Sequence, residues 1–231
     1  MLLDVDFTLA RPGPELGPEG YEQLGREHGL VLDPERYPDA RTAAVLDIER
    51  HPELDHDEEI WVRFTEDIVR GMGGSGPAVA QVAREIVHRW EHAHHFELYD
   101  DVLPVLARLR AAGLKLGLVS NTSRDLDAFV RHFGIDVDAW VSSGSHGKVK
   151  PSPLIFEAAL DMLGVAAGDA IMVGDSPGDD IEGARACGIA AVLLDRMGRF
   201  PDHDDRIESL NELPPLLGIG EGRAGRGRGE A

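Results

Sequence analysis

Apolar residues along this chain recur in two rhythms, and the change between them divides it. From Gly17 to about His95 the spacing is helical. Tyr21, Leu24 and His28 fit one face of a first helix, and Ala43, Ala44, Leu46 and Asp47 fall on a second. Ile60, Val62, Phe64, Ile68 and Val69 mark a third amphipathic segment, and Val79, Val82, Ile86, Val87 and Trp90 a fourth. The run Gly73-Gly74-Ser75-Gly76-Pro77 breaks the chain between the last two. This block reads as a small helical bundle without strands.

After Tyr99 short apolar runs alternate with helical ones. Residues 102–112 read as a helix closed by Gly113, and 116–119 as a buried strand ending at Ser120-Asn121. A helix over 126–133 precedes a short strand at 139–141. Ser152 is placed to cap a helix reaching about Leu163, and 170–173 form a strand that ends at Gly174-Asp175. A helix over 181–187, stopped by Gly188, leads to a last strand at 190–194. Strands separated by helices predict an α/β fold: a mostly parallel sheet with helices on both faces. At the N-terminus, residues 1–3 form an apolar run that meets Asp4 and Asp6, with Thr8 following, and the Pro/Gly-rich stretch 11–15 reads as a linker leaving this first strand.

Composition narrows the function classes. The net charge of −19 argues against unaided nucleic-acid binding. No run of eighteen apolar residues exists, so neither a transmembrane helix nor a membrane partner is expected. The N-terminus has no basic flank before its apolar residues, so no signal peptide is expected. Cys187 is the single cysteine, which rules out an internal disulfide and suits a reducing cytoplasm. Lysine is scarce: Lys115, Lys148 and Lys150 are the three in the chain.

The polar residues that matter stand just after strands, where open α/β sheets bind ligands. Residues i and i+2 of a strand share a face, so Asp4 and Asp6 can project together. Carboxylates that close repel unless a cation or a proton separates them. Asp175 directly follows a buried strand and is itself followed by Asp179 and Asp180, a grouping that makes sense around a cation. Phosphoryl transfer needs few parts, and these residues supply them. Asp4 can attack phosphorus and form an aspartyl-phosphate. Asp6 can protonate the leaving alkoxide and then deprotonate water. Ser120, Asn121 and Lys150 can hold the phosphoryl oxygens. Asp4, Asp175 and a backbone carbonyl can hold Mg²⁺, with Asp6 counted in the same ligand group. Thr8 and Asp180 are expected to support these residues. Each stretch is commonplace alone; their order along one chain is not.

In that order the residues resemble the haloacid dehalogenase superfamily. Its first motif, Asp-x-Asp-x-Thr, stands here as Asp4, Asp6 and Thr8. Its second, a Ser or Thr ending a strand, is Ser120; its third, a Lys often before Pro-x-Pro, is Lys150 in Lys-Pro-Ser-Pro. Its fourth, Gly-Asp with a second acid five residues on, is Asp175 with Asp180. The first strand is shorter than the family's usual one, and Phe7 stands where Gly is common. The resemblance implies a Rossmann-like core at 1–10 and 99–217, an inserted helical cap at 11–98, and Mg²⁺-dependent phosphohydrolase chemistry on a small phosphorylated metabolite. Residues 218–231, rich in Gly, Arg and Glu, are expected to be a disordered tail.

Within the family, dehalogenases have no carboxylate two residues after the nucleophile, so Asp6 favours an alkoxide leaving group. Phosphonate hydrolysis uses a cap lysine, and residues 11–98 contain none. A phosphosugar mutase shares all four motifs and stays open, as does a non-catalytic binding protein on the same scaffold. His88, His92 and His95, spaced by four and three, could line one helical face, but they do not form a His-Glu-x-x-His zinc signature. The expected protein is a cytoplasmic phosphomonoesterase, its oligomeric state left open.

Overall fold

The computed structural model describes residues 1–49 and 58–220. Its elements in chain order begin with β1 (Leu2–Leu3), β2 (Ala10–Pro12), α1 (Pro18–Glu27), α2 (Tyr37–Glu49), α3 (Glu58–Gly71), α4 (Ala78–Trp90) and β3 (Phe96–Leu98). There follow α5 (Val102–Ala111), β4 (Gly117–Ser120), α6 (Leu126–Phe133), β5 (Ala139–Ser142), α7 (Ser143–His146), α8 (Pro153–Leu163) and β6 (Ile171–Gly174). A π-helical turn at Pro177–Glu182, α9 (Gly183–Ala186), β7 (Ala190–Leu194), β8 (Arg206–Ile207) and α10 (Leu213–Leu216) complete the series. The expected disordered tail lies, from residue 221 on, outside the described residues. No described helix is long and apolar enough to cross a membrane. The chain divides into two compact units: residues 1–10, 98–122 and 133 onward form one, and 11–97 with 123–132 the other.

The first unit is built on a six-stranded sheet in the order β5-β4-β1-β6-β7-β8, with every neighbouring pair parallel. Numbered by their own succession these strands run 3-2-1-4-5-6, the Rossmann order. Leu2 and Leu3 are both fully buried, as are Leu118 with Val119 and Met172 with Val173. Successive strand residues point to opposite faces, so both faces of the sheet are covered. On one of them Leu2, Val119, Val141, Met172 and Leu193 share a core with Ile155, Phe156, Ala159 and Leu163 of α8. The helical ends read from the sequence hold in part. Gly113 takes the left-handed conformation, φ 84°, that closes α5. Ser152 sits at the N-cap of α8 but its side chain makes no capping hydrogen bond, so the expected cap is a matter of position only.

In the second unit α3 packs against both α2 and α4. Tyr21 of α1 is buried and meets the Tyr37 ring edge-on, centroids 5.1 Å apart. Among the described residues 17–95 no strand occurs, as the periodicity predicts. Residues 11–15 are not merely a linker: β2 pairs with β3 in a separate two-stranded sheet. Residues 123–132 join this unit through Arg124. Its buried guanidinium lies 3.7 Å from the Phe96 ring centroid and Nε donates to the Trp90 carbonyl.

One buried ionic knot fastens the first unit's distant segments. Both terminal nitrogens of Arg196 donate to Asp101, at 2.9 and 2.8 Å, and Arg196 also donates to the Thr8 carbonyl. The Ser209 hydroxyl and the Leu210 N–H complete the shell of Asp101. Burial works against the Asp101 carboxylate, but these donors outweigh it and hold its pKa below the ordinary 3.8. A depressed carboxylate contributes stability that is full above its unfolded pKa and is lost as pH falls through the folded value. Asp101→Asn should therefore destabilise the protein by about 3 kcal/mol in urea unfolding at pH 7, because it strips a largely buried guanidinium of its counter-ion. The deficit should shrink as pH falls below 3.8. A loss under about 0.5 kcal/mol at pH 7 would contradict this role.

Candidate active site

The order of the sheet reverses between β1 and β6, and ligands bind at the carboxyl ends of strands flanking such a point. Asp4 follows β1 and stays attached to the sheet, its N–H donating to the Val173 carbonyl at 2.9 Å. Asp175 follows β6, and Ser120 ends β4 on the other side of β1. Lys150 reaches the same place from the loop before α8. Its Nζ donates to Asp4 Oδ1 and to Asp180 Oδ1, each at 2.6 Å, with all three side chains buried. Asn121 seats this loop: Oδ1 accepts from the Lys150 N–H at 2.7 Å and Nδ2 donates to the Lys150 carbonyl.

Asp180 is brought in by the π-helical turn after Asp175. Ser176 caps that turn through Oγ, which accepts from the Asp179 N–H, and Asp180 Oδ2 accepts from the Ser176 N–H. Extra residues wound into such a turn re-aim a side chain, and these turns cluster at functional sites. The approach requires Gly174. A Cβ there would lie 2.2 Å from Asp180 Cγ, well inside van der Waals contact.

The result is a site short of positive charge. Asp4, Asp175 and Asp180 each offer a carboxylate oxygen within 4.8 Å of the others. Among the described residues two cations face these three acids: Lys150, and Arg199, whose Nη2 donates to Asp175 Oδ2 at 2.8 Å. Burial pushes the Asp4 pKa well above 3.8, and the Asp180 and Asp175 charges add to this against Lys150. Burial also lifts Asp175, to about 6, with Asp180 adding and Arg199 opposing. Burial works against the Lys150 ammonium too, but Asp180 and Asp4 more than offset it and raise its pKa. Groups shifted in these directions favour one more positive charge. An all-oxygen donor set suits a hard divalent cation such as Mg²⁺.

The structure sorts the residues expected from the sequence. Asp4, Lys150, Asp175 and Asp180 come together, and Ser120 is buried at the adjacent strand end. Asp180 belongs to the cluster itself rather than only behind it. The Asp6 carboxylate, counted among the metal ligands, is not in that set. The reason is backbone: β1 has ended, a bridge pairs Asp6 with Ala10, and Phe7 turns the chain at φ 60°, so Asp4 and Asp6 no longer share a strand face. Asn121, expected on phosphate, turns its side chain to the Lys150 backbone and, at 3.4 Å, to Asp179 Oδ2. Thr8 is buried, its Oγ1 without a hydrogen-bond partner among the described residues.

Arg199 was not anticipated. Buried Asp195, at the end of β7, accepts from the N–H groups of Arg199 and Phe200, both at 2.8 Å, and shapes the turn that delivers Arg199 to Asp175. Asp195 obeys the same strand-end rule as the other acids, so its position was open to the same reading.

A family model described as haloacid dehalogenase-like hydrolase matches residues 7–188. The chain belongs to the haloacid dehalogenase-like hydrolase family. Haloacid dehalogenase-like hydrolase domain-containing protein 3 of Danio rerio is 30% identical over 234 residues, covering 94% of this chain and 95% of the relative. The phosphoserine phosphatase of Thermus thermophilus is 29% identical over 245 residues, covering 92% and 96%. Among solved structures, the HAD phosphatase of Thermococcus onnurineus superimposes with a TM-score of 0.62 at 28% identity, covering 94% and 96%.

The tight approach at Gly174 in this family member sets a test. Gly174→Ala should destabilise by about 1–3 kcal/mol through overlap with Asp180. Gly178→Ala, where nothing lies within 4 Å of an added Cβ, should be near neutral in the same thermal unfolding experiment. Equal effects of the two would show that Asp180 does not press on Gly174.

Proposed function

We propose that this chain is a Mg²⁺-dependent phosphohydrolase that cleaves a small-metabolite phosphomonoester through an aspartyl-phosphate on Asp4. The observation that carries this reading is the buried Asp4 at the sheet's switch point, held through Oδ1 by Lys150 with Asp175 and Asp180 beside it. The names of the Thermus and Thermococcus relatives support the phosphatase class. A binding protein without catalysis would have no need to keep this acid set.

Asp4 attacks phosphorus in line, and the bond from phosphorus to the leaving oxygen breaks as the new one forms. Asp6 gives its proton to that oxygen, so the alcohol leaves neutral. Asp6 then takes a proton from water, and the hydroxide attacks the aspartyl-phosphate, releasing inorganic phosphate and restoring Asp4. Lys150 orients Asp4 and favours its ionised form against burial, and one of its three N–H groups remains for a phosphoryl oxygen. Ser120, at the end of β4, is the second phosphoryl contact. Asp4, Asp175 and Asp180 would hold Mg²⁺, which when bound offsets charge on the carboxylates and the phosphoryl oxygens. Arg199, exposed and paired with Asp175, would give way to that charge. The helical unit is the cap that selects the substrate, and the cytoplasmic location suggested by the lone Cys187 is part of the same proposal.

Turnover of para-nitrophenyl phosphate with Mg²⁺ tests the reading. Asp4→Asn should lower turnover at least about a thousandfold, since removing a nucleophile removes the covalent route. Asp6→Asn should slow it about a hundredfold, and more for poor leaving groups. An Asp4→Asn enzyme within a few-fold of wild type sinks the nucleophile assignment.

A further inference from the structure

The segment joining α4 to β3 carries three histidines, and one of them, His92, faces His88 of α4 through their ring nitrogens. His88 lies in the last turn of α4, and His92 follows the helix end beyond Glu91. Their Nε2 atoms are 3.5 Å apart, with the rings edge to face at a centroid separation of 4.9 Å. Both side chains are exposed, so no packing demand holds them there. On the far side of the His88 ring, Nδ1 lies 3.2 Å from Glu91 Oε2. A carboxylate on one ring nitrogen keeps the proton there and leaves a lone pair on the other, the arrangement that orients metal-binding histidines.

The 3.5 Å spacing is informative. It is longer than the N–H···O hydrogen bonds of proteins, which run about 2.7–3.2 Å. A tetrahedral zinc ion with Zn–N bonds of about 2.0–2.1 Å places two ligand nitrogens about 3.3–3.4 Å apart. Octahedral neighbours at the same bond length would be about 2.9 Å apart. The pair is thus close to a tetrahedral edge as it stands. The end of α4 also favours a cation, because the unsatisfied carbonyls of a helix C-terminus carry partial negative charge.

We propose that His88 and His92 form a site for a borderline transition-metal cation of the zinc class, distinct from the carboxylate set. Imidazole selects such ions over Mg²⁺, whereas the all-carboxylate cluster does the reverse, so the chain would sort two cations by donor chemistry. Water completes the shell. His94, whose ring stacks on His92 at 5.5 Å, is placed to supply a third nitrogen by a rotamer change. His95 is left out because its ring, paired with Glu15, lies farther from His92, at a centroid separation of 6.3 Å. A bound ion would tie the last turn of α4 to His92, two residues past its end.

Zinc titration calorimetry on the full chain, with Mg²⁺ saturating the carboxylates, is the test. One Zn²⁺ per chain should bind with micromolar affinity. Either His88→Ala or His92→Ala should weaken binding by at least about a hundredfold, and Glu91→Gln by about tenfold. Co²⁺ in place of Zn²⁺ should give the visible absorption of a tetrahedral centre, lost in both histidine variants. All three positions are exposed, so the variants should fold, which circular dichroism checks. Absence of Zn²⁺ binding in the presence of Mg²⁺, or binding unchanged in both histidine variants, overturns the proposal.

Discussion

The ammonium of Lys150 lies between two buried carboxylates, 2.6 Å from each, and the rest of the site is arranged around that contact. Its partners arrive from opposite ends of the chain: Asp4 from the first strand and Asp180 from the turn after the sixth. A buried ion pair is stable only when its groups are held and their remaining hydrogen-bonding capacity is met. Asn121 holds the lysine backbone, the Val173 carbonyl anchors the Asp4 backbone, and the Ser176 N–H takes the second oxygen of Asp180. The parallel sheet supplies the frame, because it sets adjacent strand ends side by side at the point where strand order reverses.

Lys150 alone does not balance the acids it gathers. With Asp175 beside them, burial raises the pKa of both Asp4 and Asp175. Arg199 supplies part of the missing charge, but its side chain is 40% exposed and hangs from a surface turn. An exposed guanidinium at a partly buried acid is a replaceable partner, since its own hydration is largely kept. The site therefore combines one fixed cation, one displaceable cation and room in its chemistry for a divalent ion. Nucleophilic catalysis by a carboxylate asks for that combination, because the attacking group must be ionised yet approach an anionic phosphate.

Much of this was legible from residue order. A short apolar run followed by a polar residue marked the strand ends that carry Asp4, Ser120 and Asp175, because buried parallel strands read as continuous apolar stretches. Helices α1 to α4 of the second unit followed from spacing alone. What escaped depended on partners distant in sequence or on backbone detail. β2, with the sequence Ala-Arg-Pro, shows no alternation and is defined only by pairing with β3 more than eighty residues on. Asp6 was read as a neighbour of Asp4 on a strand that in fact ends at Leu3. Phe7 sits in a conformation that a non-glycine residue rarely adopts, and no propensity scale would place it there. Asp180 could be ranked as a supporting acid, but its contact with Lys150 depends on the missing Cβ of Gly174 and the winding of one π-helical turn. Arg199 has no motif; Asp195 places it.

The central claim is that a cluster of buried and partly buried acids, incompletely neutralised by lysine and arginine, takes up one hard divalent cation. Calorimetric titration of the metal-free protein with Mg²⁺ addresses it directly, alongside Asp175→Asn. One Mg²⁺ bound per chain by the native protein, and none detectable in the variant, is expected. Native protein that binds no Mg²⁺, or a variant that binds it as tightly as native, would contradict the claim.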